Sequence, residues 1–430
     1  MLFYIVYGLQ IAEGFEGYWP SILYYTTYIT GVFIWIPIVS KVGIQRALYW
    51  TVSITIVSII SLVFFGDHSI WLEGSALVSG FSVSTIFSMT STLLFRYVES
   101  GGKIFNKNHQ TIIIFIVFIL LITFLLAIKL VSLPLLTLIY GICLTSILFA
   151  IKKLPSIDRV KEMSTLPIMR AFGRFLLFSV LVILLRTSRN INNDQIILFI
   201  FFISVVLVIF MLVGLIRGQV FHKLSESLPV KLRALSFLLG LGNGYLFLIG
   251  IFYSFTFYDI FTAVFILGAP YLFGFLMSTL IGHKIAKKIR PLYLFLVSTF
   301  LLVFGFYSPI FIIISVTIGS FTINMLNGLN NMKVYSLNPV HRELSILVNT
   351  TWKNLGNLCM QFFVLVVIVF VGVYYDVEWS QLFQTILGRS KLPIPGLSIP
   401  LLMFTLTFSC WLGMVGLAVW IKKGASPKGK

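Results

Sequence analysis

Acidic residues are scarce in this 430-residue chain: 13 Asp and Glu stand against 31 Lys and Arg, and charged residues of both signs make up only 10% of it. An ordinary soluble domain carries roughly 25% charged residues, so a water-soluble globular fold is excluded. Long polar stretches are missing too; the longest are loops of about 20 residues, too short for a soluble domain. Cysteine is limited to Cys143, Cys359 and Cys410, all in apolar segments, where they read as small core residues silent on redox compartment. No basic n-region precedes the first apolar segment, which carries two acids, so no cleavable signal is read there. A span that begins at Met1 is unusual and fits a start assigned too far downstream. All five histidines (His68, His109, His222, His283, His341) fall in loops or at span ends. No pair of them can ligate a haem within a bilayer, and no cofactor or metal is expected. Catalysis needs acids, bases or ligands gathered at one depth. Asp67, His68 and Glu73 form such a group only in a loop too short for a pocket, so an enzyme is not expected.

What the chain has is apolar length. Hydrophobic residues are 59% and the mean hydropathy is +1.03. Runs of about 20 apolar residues, enough to cross a bilayer, recur throughout and predict an all-α polytopic membrane protein. Fourteen spans are read, at 2–22, 25–43, 47–66, 72–97, 110–130, 132–151, 170–186, 195–216, 232–254, 260–282, 291–308, 309–336, 345–374 and 397–421. Basic loops follow every even-numbered span, as at Lys41/Arg46, Arg96/Lys103/Lys107 and Lys284/Lys287/Lys288/Arg290. With a cytoplasmic amino terminus, about 25 Lys/Arg lie inside, about 5 outside and one, Lys353, within a span, the bias of the positive-inside rule. The net charge of +18 is therefore a topology signal. Its partner is anionic inner-leaflet lipid, not nucleic acid, and the expected setting is the cell membrane with both termini cytoplasmic.

The spans group as six, two and six. The middle pair differs in character: Ile196–Ile216 has Ser204 as its only polar residue, which fits a lipid-facing position. The flanking sets echo each other. Gly8, Gly14 and Gly17 in the first span answer Gly240, Gly242, Gly244 and Gly250 in the ninth; Gly31 and Pro37 answer Gly268, Pro270 and Gly274. The expected architecture is two six-helix bundles related by pseudo-symmetry, at 1–151 and 232–430, with two extra peripheral helices in 152–231.

Glu13 and Glu16 are the most informative residues. Three apart on a helix, they share a face, in a segment where charge costs roughly 2.5 kcal/mol or more. Two nearby carboxylates in low dielectric push one pKa upward, which suits a proton-coupling pair; a structural pair bonded to neighbouring helices is the alternative. A polar stripe runs along span 13 through Asn349, Lys353, Asn357 and Gln361, with Trp352 beside it. Lys353 would counter Glu13 or an anionic ligand, or snorkel to the inner headgroups. Asn324 and Asn327 in span 12, Asn243 in span 9, and Gln10 and Tyr18 in span 1 complete a candidate ligand-binding set. Amides also bond helix to helix. The Gly240–Gly244 run marks either a locally unwound binding segment or a close helix crossing, the more economical account. The hydroxyl residues from Ser79 to Thr92 read mainly as close packing.

At these positions the chain resembles the major facilitator superfamily in its 14-helix form. That family's loop after the second helix reads Gly, three residues, Asp, Arg, one residue, Gly, then bases. Here Ser40-Lys41-Val42-Gly43-Ile44-Gln45-Arg46 keeps the second Gly and the bases, with Ser40 where the Asp belongs. Gly282-His283-Lys284-Ile285-Ala286-Lys287-Lys288 keeps the leading Gly and the bases, with Ala286 for the Asp. Asn338-Pro339-Val340-His341-Arg342, with Gly356 further on, is similar to a later loop of the family. The Gly/Pro signature of many drug antiporters is absent from Thr111–Val131. Glu13-Gly14-Phe15-Glu16-Gly17 matches the two acids of the Glu-x-x-Glu-Arg motif of proton-coupled peptide transporters and lacks the Arg. The resemblance implies a secondary active transporter, proton-coupled, moving a small-molecule substrate by alternating access through a cavity lined by spans 1, 4, 9 and 12. The degenerate motifs leave a second expectation open, a non-transporting subunit or scaffold with protein partners.

Overall fold

The computed structural model describes residues 4, 7–8, 11, 15–101, 133–152, 168–188, 191, 193–217, 228–258, 260–337, 342–386 and 398–423. Among them every regular element is helical and no strand occurs. The expected fifth span, 110–130, lies outside the described residues. A bilayer offers no water to backbone amides, so a spanning chain must satisfy them within itself, and helices do so. Among the described residues, eight helical segments are long and apolar enough to cross a membrane, and a further pair, Glu16–Thr30 with Val32–Val42, does so jointly across a 49° bend. Thr137–Phe149, Asp194–Phe210 and Pro291–Phe304 are shorter apolar helices. The chain is an integral, multi-pass membrane protein.

Two compact units emerge. The first holds residues 1–109, 123–183 and 334–351; the second holds 110–122, 184–333 and 352–430. In the first lie α1 (Phe15–Thr30), α2 (Val32–Val42), α3 (Ile44–Phe65), α4 (Ser69–Val83), α5 (Ile86–Glu99), α6 (Leu133–Lys152) and most of α7 (Ile168–Thr187). The second contains α8 (Asp194–Arg217), α9 (Val230–Phe257), α10 (Ile260–Lys288), α11 (Pro291–Leu301) with its 3-10 turn Leu302–Phe304, most of α12 (Pro309–Leu337) and of α13 (Arg342–Tyr375), α14 (Trp379–Ile386) and α15 (Ile399–Lys423). The middle pair is therefore divided between the units. α7 stacks Phe178 on Phe33 at 4.9 Å and pairs Ser179 with Thr30 at 3.0 Å in the first. α8 sets Phe201 against Phe362 in the second. Its Phe199, Phe202, Val206 and Phe210 are exposed, while Ser204 turns inward.

The first two expected spans need correction. Sequence reading placed a break at residues 23–24, but α1 continues through it. Thr26, Thr27 and Thr30 return their hydroxyls to carbonyls one turn back, at Ile22, Leu23 and Thr26, so these residues do not expose unmet polarity. The break falls instead at Gly31, pressed against Ser84 and the Phe81 carbonyl. Tyr4, Tyr7, Gly8 and Ile11 are helical as well. Gly8 meets the Gly17 backbone and Tyr7 meets Gly66, so α1 begins near the α3–α4 turn. Farther on, α2 passes into α3 through Gly43 alone, at φ +85°, a conformation that favours glycine.

In the second unit the Gly240–Gly244 run is not unwound, because α9 is helical from Val230 to Phe257. A Cβ on Gly240 would come within 1.8 Å of the Lys353 carbonyl oxygen, and one on Gly356 within 2.0 Å of the Phe237 carbonyl oxygen. Small residues let backbones approach, and here they let α9 cross α13 at close range. One element escaped the sequence reading: α14, whose first amides at Trp379 and Ser380 are accepted by the two carboxylate oxygens of Asp194 at 3.0 and 3.1 Å. Asp194 opens α8 and caps α14 from 185 residues away.

Candidate functional site

Gln10 and Glu13 lie outside the described residues. Glu16 stands exposed in the first turn of α1, not at mid-span where the apolar run had placed it. That location follows from the correction above: α1 starts at Phe15, beside the α3–α4 turn. A helix N-terminus favours a carboxylate. Tyr18, two residues on, is partly buried, and its carbonyl accepts the Ser21 hydroxyl at 2.8 Å.

Around this start, the first unit is held by hydroxyls. Tyr4 Oη meets Ser75 Oγ at 3.0 Å and Ser79 Oγ at 2.6 Å, and Ser58 meets Ser75 at 3.0 Å. Tyr4 also stacks on Tyr24 at 5.2 Å. The serines of α4 thus bond helix to helix. Deeper in, two helix breaks meet, Gly31 between α1 and α2 and Ser84–Thr85 between α4 and α5. Breaking a helix frees carbonyls. The freed Phe81 carbonyl takes Ser84 Oγ at 2.7 Å and Trp35 Nε1 at 2.9 Å, so side chains satisfy this carbonyl. Asn349 is buried in the part of α13 that clusters here, and the next residue, Thr350, meets Ser88 at 2.7 Å.

Most of the predicted amides belong to the second unit. Asn243 accepts the Tyr271 phenol at 3.0 Å. Asn324 donates to the Phe275 carbonyl at 3.2 Å and to Ser278, tying α12 to α10. These two act as helix-to-helix bonds. Asn327 is partly buried on α12. On α13, Trp352, Asn357 and Gln361 are buried and Lys353 is partly buried. Asn357 Oδ1 would lie 2.8 Å from a Cβ on Gly244, so the α9 glycines leave room for this amide as well as for the backbone.

One cation escaped the sequence reading. Arg233 follows the basic loop and was counted at a span end, yet it is only 6% exposed and its guanidinium lies 5.8 Å from the Trp352 ring centre. Nearby Asn330 donates to Ser236 Oγ at 2.6 Å. The signal was available: Arg233 sits seven residues before Gly240, on the α9 face that crosses α13. The second unit therefore gathers a buried guanidinium, an ammonium and several amides. Its helices α9, α10, α11, α12 and α15, and α13 beyond residue 343, contain no Asp or Glu.

No protein-family model matches the chain, and no curated protein matches its sequence. Solved structures do. An auto-inhibited peptide transporter of the POT family is similar over 98% of this chain and 94% of its own, with a TM-score of 0.56 and 12% identity. The POT family transporter PepTSo is similar over 98% of this chain and 95% of its own, with a TM-score of 0.53 and 11% identity. At such identity the likeness is one of fold, all-helical and multi-span, and it runs the length of the chain.

Proposed function

We propose that the protein is a secondary active transporter that moves a small solute by alternating access, with proton coupling at Glu13 and Glu16. The observation that carries this reading is the fold likeness to POT family transporters across 98% of the chain. The polar interior supports it, since amides, a lysine and an arginine are costly among membrane helices unless they have work to do. The near absence of carboxylates narrows the coupling site. With none in the spans of the second unit, a carboxylate relay must draw on the amino-terminal helices, where Glu13 and Glu16 lie three apart. Peptide specificity is not carried over, because the Arg of the Glu-x-x-Glu-Arg motif is missing here.

The test is uptake into proteoliposomes holding the purified protein, with an inward proton gradient and a panel of amino acids, dipeptides, nucleosides and sugars. Gradient-stimulated accumulation of at least one solute, abolished by a protonophore, is the expected result. Failure of every solute to accumulate, together with stoichiometric protein partners after gentle purification, would replace this reading with the scaffold one.

A further inference from the structure

Lys353 is the residue of the second unit that helix packing leaves unexplained. It stands nine residues past Leu344, where the apolar stretch Leu344–Tyr375 begins, or about 13 Å along the helix at 1.5 Å per residue. Leu344–Tyr375 is 32 residues long, well over the roughly 20 that cross a bilayer core, so Lys353 lies within the stretch and not at its end. The helices of its own unit carry no carboxylate in their membrane stretches, and among the described residues no side chain is paired with it.

Its surroundings are equally distinctive. From Trp352 through Gln361 every residue is buried except Lys353. A helix face turned to lipid exposes a row of apolar side chains, as Phe370, Val373 and Tyr374 do farther along α13. Here the one opening in a wrapped segment holds an ammonium. Asn357 and Gln361 follow it at intervals of four, on the same helix face, as buried amides, Asn357 beside Gly244 of α9.

We infer that this opening recognises an anion: the transported solute carries a carboxylate or phosphate group whose charge Lys353 takes, with Asn357 and Gln361 bonding to the remainder. The word "transported" rests on the function proposed above; the anion site does not. An anionic phospholipid headgroup offers the same chemistry, and the experiment separates the two sources.

Thermal stabilisation of the purified protein is measured with matched pairs: lactate and lactamide, succinate and succinamide, glycerol 3-phosphate and glycerol. Parallel melts compare nanodiscs of phosphatidylglycerol with nanodiscs of phosphatidylcholine. At least one soluble anion should stabilise the wild type, binding at least about tenfold more tightly than its neutral partner, the scale of one charge-assisted hydrogen bond. Lys353→Gln should abolish that response and Lys353→Arg should retain it. Should Lys353→Gln not fold, the matched pairs on wild type and Lys353→Arg still decide. The inference is overturned if no anion in the panel is preferred to its neutral partner, or if a folded Lys353→Gln responds as the wild type does. Stabilisation by phosphatidylglycerol alone would assign the site to lipid and remove the solute. Uptake assays then part the two readings. Lys353-dependent anion binding without uptake keeps the site and sinks transport, whereas undiminished uptake of a neutral solute by Lys353→Gln keeps transport and sinks the anion site.

Discussion

Gly240 lies against the backbone of Lys353 so closely that a methyl group on it would come within 1.8 Å of the Lys353 carbonyl oxygen. The obstacle is backbone, which cannot rotate aside as a side chain does. Gly240→Ala should therefore force α9 and α13 apart and lower stability by about 1–3 kcal/mol, the usual range for overpacking. Gly328→Ala is the control, because nothing lies within 4 Å of the added carbon. Melting curves in detergent should show a clear fall for the first and little change for the second.

Tyr245 presents the opposite case. Its ring is fully buried and its hydroxyl has no hydrogen-bond partner among the described residues. A buried hydroxyl in that position is a liability. Tyr245→Phe should leave stability unchanged or raise it by up to about 1 kcal/mol, read from the same melts. A marked loss would show that an ordered water or a further residue satisfies the group.

Asp194 holds α14 by accepting two backbone amides, those of Trp379 and Ser380. Asp194→Ala should cost about 1 kcal/mol, the ordinary worth of a helix cap, and should raise hydrogen exchange within Trp379–Ile386 ahead of other segments. Asp194→Asn keeps an acceptor and should lose less.

Glu99 accepts from both Arg342, at 3.0 Å, and Tyr335, at 2.9 Å. The ion pair is open to solvent, with the side chains of Arg342 and Glu99 38% and 47% exposed, so a double-mutant cycle on Glu99→Gln and Arg342→Gln should give under about 1 kcal/mol of coupling, less at high salt. Tyr335 is only 5% exposed. Removing its phenol with Tyr335→Phe should cost about 1.5 kcal/mol, the lower range for a hydrogen bond to a charged group, and should outweigh the ion pair.

The proton-coupling assignment predicts that Glu13→Gln and Glu16→Gln each abolish gradient-driven uptake while leaving expression and melting behaviour intact. Counterflow, which needs no gradient, should survive in at least one of them. If both variants respond to the gradient as the wild type does, coupling lies elsewhere.

Much of the fold could be read from the chain because membrane spans announce themselves. Apolar runs of sufficient length marked α3, α6 and α8 through α13 nearly to their ends. The error at the first two spans has a definite cause. The two spans were read as 2–22 and 25–43, but threonine hydroxyls at Thr26, Thr27 and Thr30 bond to their own backbone and the helix continues through that boundary. Gly31 was noted only for its echo of Gly268 and Gly274; its contact with Ser84 and the Phe81 carbonyl marks it as the break. The candidate site was legible as a list of residue types and not as an arrangement. Asn243 and Asn324 proved to be bonds between helices, and Arg233 was missed because its place beside a basic loop masked its seven-residue spacing from Gly240.

By itself the sequence determined the membrane setting, the helical class and the places where polar groups enter the spans, since these depend on composition and periodicity along one segment. The tertiary structure alone decided where α1 breaks, how near α9 comes to α13, that Asp194 caps a helix 185 residues away, and that Lys353 occupies the one opening in a wrapped segment. Each of these depends on which atoms stand opposite a residue, and neither hydropathy nor spacing encodes the neighbour across a helix crossing.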